Sequence, residues 1–181
     1  MSNFIPVENR LGVQPISSTN AASPSQYQVG QSVEFGQASP LGSTIRAYDQ
    51  TLGEGQFVYL EGVVGTVVGT LVTYNNLAAT TTLVPNTAST NDPVAVAMSA
   101  NVASQYGWYQ ISGVATILKS AAKINPGSKL AISATAGVVL GGSTAGKNML
   151  NAVSVNAATV ASATTTIQAQ INQPFMEAVA T

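Results

Sequence analysis

The run Trp108-Tyr109-Gln110-Ile111-Ser112, continued after Gly113 by Val114-Ala115-Thr116-Ile117-Leu118, decides the fold. Bulky and polar side chains alternate in its first half, and β-branched residues are frequent in its second half. Both patterns are typical of β-strands rather than helices. Gly113 permits a kink between two strand segments.

Short strand-like runs of the same kind precede this stretch. Residues 57–61 form a good first strand, residues 63–74 follow with glycines that allow a bend or bulge, and residues 80–84 continue. Small apolar residues at 93–98 suit a strand buried on both faces, with a short helical turn as the alternative.

Turn signals also separate the runs that follow it. Asn125-Pro126-Gly127 precedes a strand at 129–133, and Ala136-Gly137 turns the chain into 138–140, which predicts a hairpin. Two further strands are expected around 153–155 and 165–171, ended by residues 173–175. The whole pattern predicts an all-β fold, a compact barrel or sandwich of about eight to ten short strands, because such folds leave few exposed edges.

The first 43 residues differ from the rest, with four prolines in a stretch rich in Ser, Gln and Asn and without strand or helix periodicity. We interpret residues 1–43 as an extended N-terminal arm and residues 44–181 as the β domain. Isolated apolar side chains could anchor the arm in grooves of a neighbouring chain, and a disordered tail is the alternative. The predicted partner-binding residues are Phe4, Ile5, Tyr27, Phe35, Trp108 and Tyr109.

The composition argues against catalysis. The 181 residues include no histidine and no cysteine, and 7% are charged, so the usual nucleophiles, general bases and soft metal ligands are scarce. We expect no enzyme activity, no cofactor and no metal. A surface of uncharged polar groups is only weakly repelled by copies of itself, which favours permanent assembly.

The same composition limits the partners. Six basic residues are scattered among seven acidic ones, so we expect no nucleic acid binding, which needs clustered Lys or Arg. The longest apolar stretch, 63–72, is interrupted by Gly and Thr and is shorter than the roughly 20 residues of a membrane helix. The first residues lack the pattern of a signal peptide. We therefore expect neither membrane insertion nor secretion, and synthesis in a cytoplasm.

One stretch imitates a nucleotide-binding motif. Residues 141–147, Gly-Gly-Ser-Thr-Ala-Gly-Lys, have the spacing of a phosphate-binding P-loop. Asn148 replaces the Ser or Thr that would bind magnesium, and the following residues predict a turn and a strand instead of a helix. A glycine-rich hairpin tip explains the stretch.

Acidic and hydroxyl side chains give no better active site. Glu54 and Glu61, with Asp49, are the closest carboxylates that could act as a glycosidase pair, and solvated or hydrogen-bonded roles explain them. Lys119-Ser120 and Ser128-Lys129 are adjacent pairs whose side chains would point to opposite faces of a strand. Tyr106, Trp108 and Tyr109 could stack on a sugar ring, but core or interface packing is the favoured interpretation.

Several runs between residues 41 and 176 share one texture: Leu41-Gly42-Ser43-Thr44-Ile45-Arg46-Ala47-Tyr48-Asp49, residues 52–60, 94–98, 105–113 and 170–175. The Gly-Trp-Tyr-Gln-Ile-Ser-Gly strand at 107–113 is the most specific part. Together these runs resemble the head decoration, or cement, proteins of tailed bacteriophages.

The resemblance implies a structural protein of the virion, made in the host cytoplasm, that binds the outer capsid surface. It would act as a homotrimer and clamp neighbouring subunits of the major capsid protein, and many weak contacts would add up. Two alternatives stay open: another phage component, such as a head fibre, neck or tail protein, and a carbohydrate-binding β-module for host attachment that uses Trp108 and nearby tyrosines.

Overall fold

The computed structural model describes residues 4–7, 15–17, 19–21, 39–75, 77–84 and 91–177, and within them the regular structure is entirely β. The predicted all-β fold is confirmed. The described residues form twelve strands: β1 (Ile5–Pro6), β2 (Thr19–Ala21), β3 (Thr44–Asp49), β4 (Gly53–Glu61), β5 (Leu71–Tyr74), β6 (Thr81–Leu83), β7 (Val94–Ala97), β8 (Gln105–Leu118), β9 (Lys129–Ile132), β10 (Val139–Gly141), β11 (Asn148–Ser154) and β12 (Thr166–Met176).

Strand β8 organises the sheet because both of its edges are paired. One edge pairs with β4, and the other pairs in turn with β2, β7 and β12, in every case antiparallel. Gly113 lies in the middle of β8 with a φ of +98°, where a Cβ would lie 2.4 Å from the carbonyl oxygen of Glu54. The predicted irregularity is therefore present, as a glycine within one continuous 14-residue strand.

The C-terminal strands curl into a ring. The order β8, β12, β11, β9, β10 is continuous, and a parallel bridge between Lys119 and Val139 joins β10 back to the end of β8. All five strands contribute side chains to one buried cluster, among them Ile117, Leu130 and Ile171. The ring is closed around this cluster in the manner of a small barrel.

The sheet is buried on both faces where the middle of β4 pairs with β8. Phe57 and Tyr59 of β4 pack with Trp108 in a second cluster, whereas Val58 and Leu60 pack with Tyr109 in a third. Alternation along a strand sends successive side chains to opposite faces, so two cores form on either side of β4 and β8.

Parts of the first 43 residues pack on this sheet. Strand β1 pairs with β3, and β2 pairs with β8. Phe4 and Ile16 are buried in the second cluster, and the rings of Phe4 and Phe57 meet edge to face at 4.9 Å. These two short strands, together with β3, raise the number of strands above the predicted eight to ten.

Two local predictions need correction, and one open alternative is resolved. Residues 63–70 form turns, and the strand expected over 63–74 begins only at Leu71. Residues 173–175 were expected to end the last strand, but they lie inside β12. Residues Val94–Ala97 form a strand buried on both faces, so the helical alternative for this run is wrong.

Candidate functional site

The predicted aromatic group does not exist as a surface. Trp108 and Tyr109 are both fully buried, and as neighbours on β8 they enter different cores. Trp108 packs edge to face on Tyr59 at 5.0 Å between ring centroids. Neither ring can stack on a ligand from solvent.

Tyr109 brings a polar group into its core. Its hydroxyl makes no hydrogen bond of ordinary geometry with the described residues, although the side chains of Asn101, Thr81 and Thr66 lie close to it. Burial raises the pKa of Tyr109, and these three neighbours partly offset that rise. The phenol therefore stays protonated at neutral pH and has a structural role.

The four anchors predicted in the arm have different positions. Phe4 is buried in the second cluster and Ile5 is 64% exposed. Tyr27 and Phe35 lie outside the described residues. The structure thus places Phe4 in the hydrophobic core of this chain and leaves Ile5 accessible to a partner.

An exposed apolar surface surrounds Ile5. Val7 is 62% exposed and Tyr48 is 51% exposed, and Ile5 and Tyr48 lie directly opposite each other on β1 and β3. The Val7 N–H donates to the Arg46 carbonyl at 2.9 Å, which places Val7 beside the same strand. We call Ile5, Val7 and Tyr48 the β1–β3 surface.

Sequence reasoning missed Val7 and Tyr48. The alternation Thr44-Ile45-Arg46-Ala47-Tyr48-Asp49 was the available signal, since its even-numbered residues are exposed and its odd-numbered residues are buried. Next to this surface, the Arg46 guanidinium pairs with the Glu54 carboxylate. The β1–β3 surface is therefore apolar with one neutralised ion pair at its border.

In the glycine-rich stretch 141–147, Gly141 ends β10 and residues 142–147 form the connection to β11 rather than a phosphate-binding loop. The Glu177 carboxylate accepts hydrogen bonds from the Gly146 N–H and the Asn148 side-chain amide. The Thr144 N–H donates to Asn148 Oδ1 at 2.8 Å. A strand follows instead of a helix, and two of the loop amides that could bind an anion are already occupied.

The remaining candidate acids have structural roles. Asp49 Oδ1 accepts the N–H groups of Thr51 and Leu52 at 2.7 and 3.0 Å and so forms the turn between β3 and β4. Glu54 and Glu61 lie at opposite ends of β4, so they do not form a catalytic pair. Within the described ranges, no three acidic side chains come together as a potential metal site.

Lys119 is a buried cation with a structural task. Its ammonium group donates to the carbonyl oxygens of Ser120, Ala161 and Thr164 at 2.9, 3.1 and 2.8 Å. The segment that precedes β12 is thereby held against the end of β8. A lysine saturated by three carbonyls is poorly placed to activate a serine.

No protein-family model matches this sequence, and no curated protein is significantly similar to it. In the part of the chain that the structure describes, no helix has the length and apolar character needed to cross a bilayer.

Proposed function

We propose that this chain is a structural protein of a tailed-phage particle that binds the outer surface of the capsid. There it stabilises contacts between subunits of the major capsid protein and acts as a homotrimer. The resemblance of residues 41–176 to head decoration proteins and the scarcity of catalytic side chains support this role.

The β1–β3 surface is the observation that carries the proposal. Ile5, Val7 and Tyr48 expose apolar area at one margin of the sheet, and among the described strands β1 pairs with β3 alone. An apolar patch beside an unpaired strand edge is costly in a free monomer and typical of a protein that is covered in its assembly.

Cryo-electron microscopy of particles of the encoding phage tests the location. We expect density for this chain on the outer capsid at threefold or quasi-threefold positions. Density at the portal, tail or fibres would assign it to another part of the virion, and its absence from purified particles would refute a structural role. Sedimentation that shows a monomer even at high concentration would contradict the trimer.

Substitutions test the surface itself. We expect Ile5→Asp and Tyr48→Asp to lower affinity for capsids that lack this protein by at least about tenfold, because each places a charge in a contact that excludes water. Leu77→Asp is the matched control, since Leu77 is also exposed but lies in the turn between β5 and β6. Equal effects of all three substitutions would show that the β1–β3 surface is not the contact.

The alternative of a sugar-binding module built on Trp108 loses its basis, because the ring is fully buried. A head fibre, neck or tail protein would share the properties described, and only the position of the density separates these roles.

A further inference from the structure

Two adjoining cavities lie on either side of Tyr74, and their lining includes no residue of the β1–β3 surface. The first has a volume of about 380 Å³ and is lined by Ile111, Phe175, Asn91 and Gln173 in addition to Tyr74. The second, of about 300 Å³, is lined by threonines, Asn75 and Asp92. The two volumes are at the lower end of the range of small-molecule sites.

The walls are held together by the backbone. The Tyr74 N–H donates to the Pro93 carbonyl at 3.2 Å, and the Met176 N–H donates to the Asp92 carbonyl at 3.1 Å. A bridge joins Pro93 to Phe175. The end of β5, the residues before β7 and the end of β12 therefore meet in one hydrogen-bonded frame, so the cavities exist before any ligand arrives.

Two residues that line the first cavity have a left-handed backbone conformation. Asn91 has a φ of +66° and Gln173 a φ of +45°. Left-handed conformations of residues other than glycine are uncommon, and they are frequent at ligand sites. Both residues line the first cavity.

The chemistry of the lining selects a ligand class. Tyr74 and Phe175 contribute aromatic side chains to the lining, and aromatic rings pack well against apolar ligand surface. The amides of Asn91 and Gln173 and the threonine hydroxyls of the second cavity both donate and accept hydrogen bonds, and the Asp92 carboxylate accepts them. The described lining residues include no lysine or arginine, and their one acidic group, Asp92, disfavours anions.

We propose that these cavities bind a neutral saccharide, with one sugar ring against Tyr74 and Phe175 and the next ring in the polar cavity beside Asp92. A sugar presents C–H groups on one face and hydroxyls at its edge. These groups match a cavity lined by aromatic rings that adjoins a cavity lined by Thr, Asn and Asp. This site shares neither Trp108 nor Tyr109 and does not depend on the capsid role.

Ligand-observed saturation-transfer NMR on the full chain tests the proposal. The probes are maltose, cellobiose, lactose and N,N′-diacetylchitobiose at millimolar concentration, with sialyllactose as an anionic comparison and a polyproline peptide as a different ligand class. We expect at least one neutral disaccharide to bind with millimolar affinity. Sialyllactose should bind more weakly than lactose wherever lactose binds.

Variants locate the site. Asp92→Ala, Phe175→Leu and Tyr74→Leu should each weaken binding of that disaccharide by at least about tenfold, because the last two remove the rings against which the sugar packs, and thermal midpoints check that each variant is folded. Tyr48→Leu is the matched control, an exposed aromatic outside the cavities, and should leave binding unchanged. Binding that survives all three cavity variants, binding of the peptide alone, or no binding by any saccharide would overturn the proposal.

Discussion

At the residue scale, close packing around Asn101 explains two glycines that the sequence pattern leaves unexplained. Asn101 is fully buried. A Cβ on Gly62 would lie 2.1 Å from its carbonyl oxygen, and a Cβ on Gly107 would lie 2.3 Å from its side-chain amide. Both glycines are needed because no side chain fits, which no local sequence pattern can reveal.

Gly62→Ala should therefore lower the free energy of unfolding by about 3 kcal/mol, since a backbone atom blocks the methyl group. Gly127→Ala is the control: it has open space around it but a φ of +70°, and strain alone should cost about 1 kcal/mol. Urea unfolding of both variants measures the difference. Equal losses would mean that the backbone near Asn101 gives way easily.

Lys119→Met should cost about 2 kcal/mol, because the aliphatic chain is kept while three charge-assisted hydrogen bonds are lost. Lys123→Met is the matched control at an exposed position and should change stability by less than about 0.5 kcal/mol. Hydrogen exchange should also accelerate at 161–164 in the first variant only. Unchanged exchange there would argue against the role of the ammonium group in holding this segment.

At the element scale, the docking of the β1 segment beside β3 makes the neighbours Phe4 and Ile5 differ sharply in burial. Phe4→Ala should lower stability by about 3 kcal/mol, because it leaves a cavity beside Phe57. Ile5→Ala should change it by less than about 0.5 kcal/mol, since that side chain faces solvent. Thermal and urea unfolding of the two single variants check this. A neutral Phe4→Ala would mean that this segment does not dock on its own chain in solution.

We expect the glycine-rich loop between β10 and β11 not to bind nucleotide. Magnesium-ATP at millimolar concentration should not shift the thermal midpoint, because Glu177 and Asn148 already take up amides of the loop. Asn148→Ala should lower stability by about 1 kcal/mol through the loss of the same contacts. A clear ATP-dependent stabilisation would revive the nucleotide-binding interpretation.

Strands with a strong local pattern were predictable from the sequence. Which strands pair with each other, and which faces of the sheet are buried, were not. The hairpin of β9 and β10 follows from its turn residues and its alternation, and it is present. The run 63–70 has strand-like composition, but its residues form successive turns with hydrogen bonds such as Thr66 N–H to the Val63 carbonyl. For Trp108 and Tyr109 the sequence left core and interface packing open, and the structure buries both because distant segments cover both faces of β8 there.

At the scale of the whole molecule, the titratable groups predict the pH dependence of stability. Without histidine, the free energy of unfolding should be nearly constant between about pH 6 and pH 9. Burial raises the pKa of Tyr74 and of Tyr109 above the ordinary 10.0. Above pH 10 the unfolded chain therefore loses these protons first, and stability falls as the pH rises toward the raised pKa values.

Urea unfolding from pH 7 to pH 11 tests this expectation. The double variant Tyr74→Phe/Tyr109→Phe should show a smaller alkaline decline than the unaltered chain, while other groups contribute equally to both. At pH 7, Tyr109→Phe alone should not reduce stability, because the hydroxyl makes no ordinary hydrogen bond. Identical alkaline declines would show that the two phenols do not titrate differently on unfolding.

The placement of β8 between early and late strands also constrains folding during synthesis. Strands β3 and β4 precede β8 in the chain, but β12, which occupies the far half of its second edge, is translated much later. On the ribosome, β8 can pair with β4 at once, while residues 114–118 lack their β12 partners until residues 166–170 have emerged. Nascent chains stalled before that point should expose this apolar edge. We expect chaperones to bind such chains at residues 114–118.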